Sequence, residues 1–338
     1  MSSVRITVYG CGRDEADAFA RLGPRLGVVP TIVPTPVSAA DVVGSGDRCV
    51  SVDHRTPVPR RVLTALAAAG VEHLSTRSIG VDHIDLGAAA DVGITVENVV
   101  YAPDGVADHT LMLILMAVRG AAEVLRAADR QDFRLPGARG LDLCDLTVGV
   151  VGAGHVGTAV IRRLRGFGCR LLATDPGPGT PDGAALVGLR DLLRVSDVVT
   201  LHLPLTTTTR HLLGPEQIGW MKAGAVLVNT ARGDLVDTAA LLAALEAGRL
   251  GGAALDVLEG EEGTFSVDAR TGPLDHPLLA HLQRRPDVIV TPHCAYFTER
   301  TLRETVEQTL SACVRFERRR AGGETQDRDL VRGLLGGT

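Results

Sequence analysis

The chain has 338 residues, which is enough for two domains that each bury a hydrophobic core. Its formal net charge of −5 argues against the basic surface that nucleic-acid binding requires. The six cysteines are scattered without a C-x-x-C pair, which predicts neither a metal site nor disulfides and favours a cytoplasmic location. The longest apolar run, Leu111–Val118, is too short to span a bilayer, and no signal peptide is recognisable, so no membrane partner is expected.

Over its first hundred residues the chain alternates strand-like and helix-like patterns. The strand patterns are RITVY, TIVP, RCVSVD, HLSTRS and ITVENV, and helical patterns such as DEADAFARLG and PRRVLTALAAAG lie between them. This βα alternation predicts a parallel sheet with helices on both of its faces. The segment carries no dinucleotide-binding fingerprint.

A long helix is predicted next, over about Pro103–Ala128, because a proline suits the first turn of a helix and the following residues are strongly apolar. Leu111–Val118 is more apolar than a lone surface helix needs, which predicts homodimer contacts along this helix. Simple burial within one subunit is the alternative.

A glycine-rich turn follows the apolar strand pattern Thr147–Val151. Gly152, Gly154 and Gly157 form G-x-G-x-x-G, with His155 and Val156 between the last two glycines. The first glycine permits the tight turn, the second admits a pyrophosphate, and the third lets the helix pack on the strand. Free N–H groups and the positive end of the helix dipole then face the phosphates. The alternative is a turn that holds no ligand.

The next strand pattern, CRLLATD, ends in Asp175, where a carboxylate can bind both hydroxyls of the adenosine ribose. Strand, turn, helix, strand and acid in this order predict a nicotinamide dinucleotide site. No arginine occurs in DPGPGTPDG, and the carboxylate repels a 2′-phosphate, so NAD (NADH) is preferred over NADP.

The βα pattern continues to DVIVTPH, and a helix from Thr301 returns the chain to the first domain. The sequence therefore predicts an α/β protein with two doubly wound parallel-sheet domains, Rossmann-like and flavodoxin-like. An NAD-binding domain, 102–293, is inserted into a substrate domain formed by 1–101 plus 294–338. Ligands bind beyond the carboxyl ends of such strands, so a site between the domains is expected. The tail from Arg320 is expected to be weakly ordered.

Three polar residues follow predicted strands of the cofactor domain: Arg232, Glu261 and His293. A guanidinium can hold a carboxylate through two hydrogen bonds, and an imidazole can donate a proton near neutral pH. A neighbouring carboxylate favours the protonated imidazole. Each residue also has a simpler interpretation: Arg232 as a surface ion-pair partner, Glu261 as a solvated loop acid beside Glu259 and Glu262, and His293 as a strand cap. As a set beside a dinucleotide site they predict hydride transfer to a 2-keto acid.

Arg232–Thr238 (RGDLVDT), Gly251–Val257 (GGAALDV) and Thr291–His293 (TPH) resemble the D-2-hydroxyacid dehydrogenase family, and the resemblance covers nearly the whole chain. It implies that Arg232, Glu261 and His293 are catalytic and that Asp256 lies near the nicotinamide carboxamide. It further implies a backbone site for the substrate carboxylate in Thr76–Asp85, at Ser78, Ile79 and Gly80, and cofactor-lining roles for Pro204, Thr209, Thr230 and Ala231.

Within the family, DVLEGEEGTF after the acid and CAYFT after the histidine resemble the D-lactate dehydrogenase branch. Tyr101, Tyr296 and Phe297 match its substrate residues. STRSIGVDHID and YAPDGVADHTLMLILMAVR look like the D-lactate dehydrogenases of glycopeptide (vancomycin) resistance, the VanH type. That resemblance implies reduction of pyruvate to D-lactate, which a partner ligase joins to D-alanine in peptidoglycan precursors.

Two other functions are compatible with the same sequence. One is a hydroxypyruvate, glyoxylate or branched 2-ketoacid reductase of the same family, with unchanged chemistry and a different pocket. The other is a corepressor-like protein that binds the nicotinamide cofactor without turnover. The intact arginine, glutamate and histidine argue against the second.

Overall fold

The structure, a computed structural model, describes residues 4–40, 42, 46–135, 137–177, 182–265, 267–272 and 276–322. They belong to two compact units. The first lies within Met1–Ala102 and Phe297–Thr338, and the second, Pro103–Tyr296, is inserted into it. Each unit is built around one parallel sheet, which confirms the predicted α/β class.

The first unit contains a five-stranded sheet in the order β2-β1-β3-β4-β5. Its elements are β1 (Val4–Tyr9), α1 (Arg13–Leu22), β2 (Val28–Val33), β3 (Cys49–Val52), α2 (Arg60–Ala68), β4 (His73–Thr76), α3 (Leu86–Asp91), β5 (Thr95–Asn98) and the C-terminal helix α11 (Glu299–Ala321). Helix α11 packs on this sheet because Val306, Leu310, Cys313 and Phe316 recur at helical spacing and form one apolar stripe.

The second unit contains a seven-stranded sheet in the order β12-β11-β10-β9-β6-β7-β8. Its elements are α4 (Asp104–Val118), α5 (Ala121–Asp129), β6 (Thr147–Val151), α6 (His155–Leu164), β7 (Arg170–Thr174), β8 (Ala185–Leu186), α7 (Leu189–Val195), β9 (Val198–Leu201), α8 (Pro215–Trp220), β10 (Val226–Asn229), α9 (Thr238–Glu246), β11 (Gly252–Leu255), α10 (Pro277–Arg284) and β12 (Val288–Val290). The strand order reverses direction between β6 and β9, the position where dinucleotides bind in such sheets.

The predicted single helix over Pro103–Ala128 is wrong, because the structure divides it into α4 and α5. Gly120 adopts a left-handed conformation with φ of 59°, which interrupts the helical hydrogen-bond ladder. Within the apolar run, Leu113 and Ile114 are fully buried whereas Met112 is 41% exposed. Part of this apolar run therefore packs in the core, and part of it faces the surface. Among the described residues, no helix is long and apolar enough to cross a membrane.

Two further elements were not predicted from the sequence, the short edge strand β8 and the helix α10. Helix α10 begins at Pro277, and the ring of His276 accepts a hydrogen bond from Leu279 N at 3.1 Å as its N-cap. The expectation of weak order from Arg320 is wrong for Arg320 and Ala321, which complete α11. The rest of that expectation, from 323 to 338, lies outside the described residues.

His73 on β4 makes the stability of the first unit dependent on pH. Its ring is fully buried and stacks on Phe316, and neither ring nitrogen has a hydrogen-bond partner within the described residues. Burial, together with the charges of Arg319 and Arg315, lowers the pKa of His73 from 6.5 to about 3. Below pH 6.5 the unfolded chain binds a proton here that the folded chain does not.

We expect the free energy of unfolding to fall by about 1.4 kcal/mol for each pH unit from pH 6.5 towards 3 because of this residue. His73→Phe keeps an aromatic ring against Phe316 and removes the titrating group. Urea denaturation of both proteins at pH 7.5 and pH 5.5 measures the difference. An equal loss of stability in the two proteins between these pH values would contradict this role of His73.

Candidate active site

The carboxyl ends of six neighbouring strands of the second unit are aligned. Val151 pairs with Thr174 and Leu201, and the register continues through Asn229, Leu255 and Val290. Residues that follow these strands therefore lie along one edge of the sheet. The predicted residues placed there are Gly152, Asp175, Pro204, Thr230, Ala231, Arg232, Asp256 and His293.

The turn after β6 has the shape that a dinucleotide requires. Gly152 has φ of 92°, and a Cβ there would lie 2.5 Å from the carbonyl oxygen of His202. A Cβ at Gly157 would lie 1.9 Å from the carbonyl oxygen of Gly152, so only glycine permits this helix–strand contact. At Gly154, by contrast, a Cβ would meet no atom within 4 Å. Open space at the N-terminus of α6 suits a pyrophosphate, and the residues present fit a bound dinucleotide.

Asp175 lies directly after β7, next to that turn. Its Oδ2 accepts a hydrogen bond from Ala153 N at 2.5 Å, and its Oδ1 accepts one from Gly177 N at 2.7 Å. A carboxylate has about four lone-pair positions, so both oxygens can still accept bonds from ribose hydroxyls. The carboxylate thus supports the glycine turn and is oriented by it.

The other predicted cofactor residues occupy the same edge. His155 and Val156 form the first turn of α6. The Thr209 hydroxyl donates to Pro204 O at 2.7 Å, which closes the turn after β9. Thr230 Oγ1 lies 2.8 Å from the hydroxyl oxygen of Thr110 on α4, so the loop after β10 is tied to the helix beneath it.

His293 and Glu261 are in direct contact. A short hydrogen bond joins His293 Nδ1 to Glu261 Oε1, and 19% of each side chain is exposed. The edge of the His293 ring also faces Tyr296, with ring centroids 6.0 Å apart. Because Nδ1 carries this hydrogen bond, the carboxylate orients the ring and selects its tautomer.

Backbone contacts hold the turn that carries Glu261. Glu261 Oε2 accepts from Leu258 N at 2.6 Å, and Phe265 N donates to Glu261 O at 3.1 Å. A Cβ at Gly233 would lie 2.0 Å from the carbonyl carbon of Leu258. Glycine directly after Arg232 is therefore what allows the arginine loop to pack against the glutamate turn.

Arg232 lies in the loop after β10, in extended conformation at the start of a 3₁₀ turn, Gly233–Leu235. Its Nη1 donates to Ala231 O at 2.7 Å, and its own carbonyl accepts from Asn229 Nδ2 at 2.8 Å. The asparagine side chain thus fixes the backbone from which the guanidinium extends. The side chain is half-buried.

Asp256 is fully buried, and both of its oxygens bind the loop that carries His293. Oδ1 accepts from the Thr291 hydroxyl at 2.6 Å and from Cys294 N at 2.9 Å, and Oδ2 accepts from Ala295 N at 2.9 Å. Burial by itself raises the pKa of Asp256, but hydrogen bonds from His109, Thr291 and these backbone groups outweigh it and lower the pKa.

The ligand-type atoms of His109, Asp256 and Cys294 lie within 4.8 Å of one another. Hydrogen bonds account for this arrangement, since His109 Nε2 also lies 3.1 Å from the Thr291 hydroxyl. The sequence pattern did not single out His109, and it gave Thr291 only as part of the TPH motif, because nothing in their spacing shows that they meet Asp256. In the described geometry Asp256 supports the His293 loop, a role that resemblance did not suggest.

In the first unit, predicted substrate residues follow β4 and β5. Ser78 Oγ donates to Gly80 O at 2.7 Å, and Asn98 Nδ2 donates to Ile79 O at 2.7 Å, so side chains shape this loop. Among the described residues, the backbone N–H groups of Ser78, Ile79 and Gly80 have no acceptor. Three such donors in succession can bind an anion. Tyr101 follows β5, and Phe297, before α11, is 69% exposed.

The chain is similar to known proteins over most of its length. Residues 111–295 match the NAD binding domain of the D-isomer specific 2-hydroxyacid dehydrogenases. A D-specific alpha-keto acid dehydrogenase of Enterococcus faecium is 53% identical over 320 residues, which cover 94% of this chain and 99% of that protein.

Two solved structures are also similar. The pyruvate reductase of Chlamydomonas reinhardtii has a TM-score of 0.84 at 33% identity and covers 93% of this chain and 96% of its own. An NAD-complexed D-isomer specific 2-hydroxyacid dehydrogenase from Lactobacillus delbrueckii ssp. bulgaricus has a TM-score of 0.78 at 29% identity, covering 96% and 99%.

The parallel sheet, the glycine fingerprint and the imidazole–carboxylate pair define an NAD-dependent oxidoreductase. The chain belongs to the D-isomer specific 2-hydroxyacid dehydrogenase family. The predictions of NAD as cofactor and of a D-2-hydroxyacid dehydrogenase are thereby confirmed. The individual site residues stay predictions that kinetics must test.

Proposed function

We propose that this dehydrogenase reduces pyruvate to D-lactate with NADH and that Arg232, Glu261 and His293 are its catalytic residues. The observation that carries the proposal is the hydrogen bond between His293 Nδ1 and Glu261 Oε1, at the edge of the sheet where the dinucleotide turn lies. We assign the second unit to NAD binding and the first to the substrate.

Each residue has one task in the proposed reaction. Arg232 binds the substrate carboxylate through paired hydrogen bonds and polarises the neighbouring ketone. When bound, NADH supplies the hydride. His293 donates the proton from Nε2 to the ketone oxygen, and Glu261 stabilises the protonated imidazole before the transfer. In the first unit, the N–H groups of Ser78, Ile79 and Gly80 can bind a carboxylate.

The aromatic residues Tyr101, Tyr296 and Phe297 match substrate residues of the D-lactate dehydrogenase branch, and this resemblance supports a small substrate. The similar Chlamydomonas protein is named a pyruvate reductase, in agreement with this choice. A steady-state comparison of pyruvate, hydroxypyruvate, glyoxylate and a branched 2-keto acid, each with NADH and NADPH, tests it. A higher kcat/KM for any of the other acids would make that acid the preferred substrate in place of pyruvate. If none of the acids is turned over, the proposed enzymatic activity is wrong.

We expect Asp175 to set the preference for NADH over NADPH. Its charge repels a 2′-phosphate and its oxygens bind the ribose hydroxyls, which together are worth about 1–3 kcal/mol. Asp175→Ala is then expected to lower kcat/KM for NADH. It should also reduce the ratio of kcat/KM for NADH to kcat/KM for NADPH. Asp191→Ala, an exposed carboxylate on α7, is the control. A wild-type enzyme that uses NADPH as well as NADH would contradict this role.

We further propose that the enzyme is a homodimer formed through α5 and the segment after it. None of the residues of α5 is buried, although Val124 and Leu125 are apolar. Phe133 and Leu135 beyond it are 75% and 94% exposed. Apolar surface of this extent is typical of an interface between subunits, and a second copy of the chain is the proposed occupant.

Light scattering at micromolar concentration is expected to give about twice the chain mass of 35.5 kDa. Leu125→Glu places a charge on this surface and should shift the mass towards one chain, because a buried unpaired charge is costly. Glu123→Gln on the same helix is the matched control. A wild-type mass of one chain would exclude the dimer.

The cellular role that resemblance implies is also a proposal. D-lactate made here would be joined to D-alanine by a cytoplasmic ligase, giving the peptidoglycan precursors of glycopeptide resistance. Deletion of the gene from its host would then remove precursors ending in D-lactate, measured by mass spectrometry, and lower the tolerated vancomycin concentration. Unchanged precursors would assign the enzyme to general D-lactate metabolism instead.

A further inference from the structure

Two catalytic loops of the second unit meet at one side chain, that of His211. The residue lies between β9 and α8, in a segment that runs beside the loop carrying Arg232. His211 N donates to Asp234 O at 2.8 Å, and Leu213 N donates to Leu235 O at 3.0 Å. Backbone hydrogen bonds therefore join the His211 segment to the residues immediately after Arg232.

The side chain of His211 points to the other loop, which carries Glu261. His211 Nε2 lies 2.6 Å from Glu259 Oε1, two residues before Glu261. Glu259 Oε2 accepts from Thr238 N at 3.2 Å, and the Glu259 carbonyl lies 2.8 Å from His276 Nε2. Glu259 is thus bound through both its side chain and its backbone.

The backbone at His211 shows that this contact is maintained at a conformational cost. His211 has φ of 51°, in the left-handed region that side chains other than glycine rarely adopt. A residue keeps such a conformation only where surrounding contacts determine it. His293 shares this property with φ of 50°.

We infer that His211 and Glu259 are positioning residues that hold the Arg232 loop and the Glu261 turn in register. The inference rests on the proposed function, because it assigns Arg232 and Glu261 their catalytic roles. Neither His211 nor Glu259 is a catalytic residue. Their contact determines where the guanidinium and the carboxylate stand, and displacement of a catalytic group by about 1 Å can cost 10²-fold in rate.

The test uses His211→Asn, because asparagine tolerates the left-handed conformation but is too short to reach Glu259. Glu259→Ala removes the contact from the other side. We expect each variant to lower kcat for pyruvate by about 10-fold or more, with the KM for NADH unchanged. The double variant should be no slower than the slower single one, since both remove the same contact. His281→Asn, an exposed histidine on α10, is the matched control.

The split between kcat and KM separates positioning from a general loss of structure, because a disordered cofactor domain would also raise the KM for NADH. Wild-type kcat in both His211→Asn and Glu259→Ala would overturn the inference. If Glu261→Gln also behaves as wild type, the proposed catalytic roles fail instead.

Discussion

Replacement of His293 by glutamine is expected to lower kcat for pyruvate reduction by about 10²- to 10⁴-fold. Glutamine keeps the approximate size and a hydrogen-bonding group but cannot supply the proton, and a positioned general acid contributes an effect of this magnitude. The KM for NADH should change little, because the dinucleotide turn is formed by a different loop. Steady-state rates from pH 5 to 9 measure both quantities.

The pH dependence of the residual rate gives the control for this prediction. We expect the wild-type rate of reduction to fall as pH rises, because the proposed acid, His293, can donate a proton only in its protonated form. The slow His293→Gln enzyme should lack that decline. A variant that keeps more than a tenth of the wild-type kcat, with the same decline, would mean that another group donates the proton.

Arg232→Gln is expected to raise the KM for pyruvate and to lower kcat as well. The guanidinium binds the carboxylate in both the ground state and the transition state, and it also polarises the ketone as negative charge develops. Loss of paired hydrogen bonds to a charged group, about 2–3 kcal/mol, corresponds to roughly 30- to 150-fold in kcat/KM. Initial rates over a wide range of pyruvate concentration separate the two effects.

Arg232→Lys serves as the matched variant for this site. Lysine retains the positive charge but not the planar pair of donors, so it should recover only part of the lost kcat/KM. If Arg232→Lys recovered the full wild-type kcat/KM, the positive charge alone would account for the effect of this residue. A rise in KM with wild-type kcat in Arg232→Gln would remove the polarising role and leave only substrate binding.

Local patterns sufficed for the cofactor site. Gly152 and Gly157 each meet a steric requirement of a single short turn, Gly154 leaves open space at the helix N-terminus, and Asp175 follows the next strand. A requirement that arises within about thirty residues is visible in the order of those residues. The βα alternation predicted both parallel sheets for the same reason, because strand and helix periodicities are local properties.

Other predictions failed or were absent because distant segments decide them. The helix over Pro103–Ala128 is interrupted at Gly120, where Leu141 N donates to Val118 O at 2.8 Å. The helix pattern itself does not indicate that Leu141 is a hydrogen-bond partner. The contact of His109 with Asp256 likewise joins α4 to the end of β11 and appears only when the sheet is assembled.

The sequence by itself determined the fold class and the glycine turn, since residue type and position relative to a strand suffice for these, and it made Arg232, Glu261 and His293 the candidate catalytic residues. Only the tertiary structure decided which groups orient them. Asp256 binds the His293 loop, and His211 contacts Glu259, which lies 48 residues further along the chain. Parallel strands bring their carboxyl ends to one edge whatever their separation along the chain, so contacts at that edge depend on register and not on sequence distance.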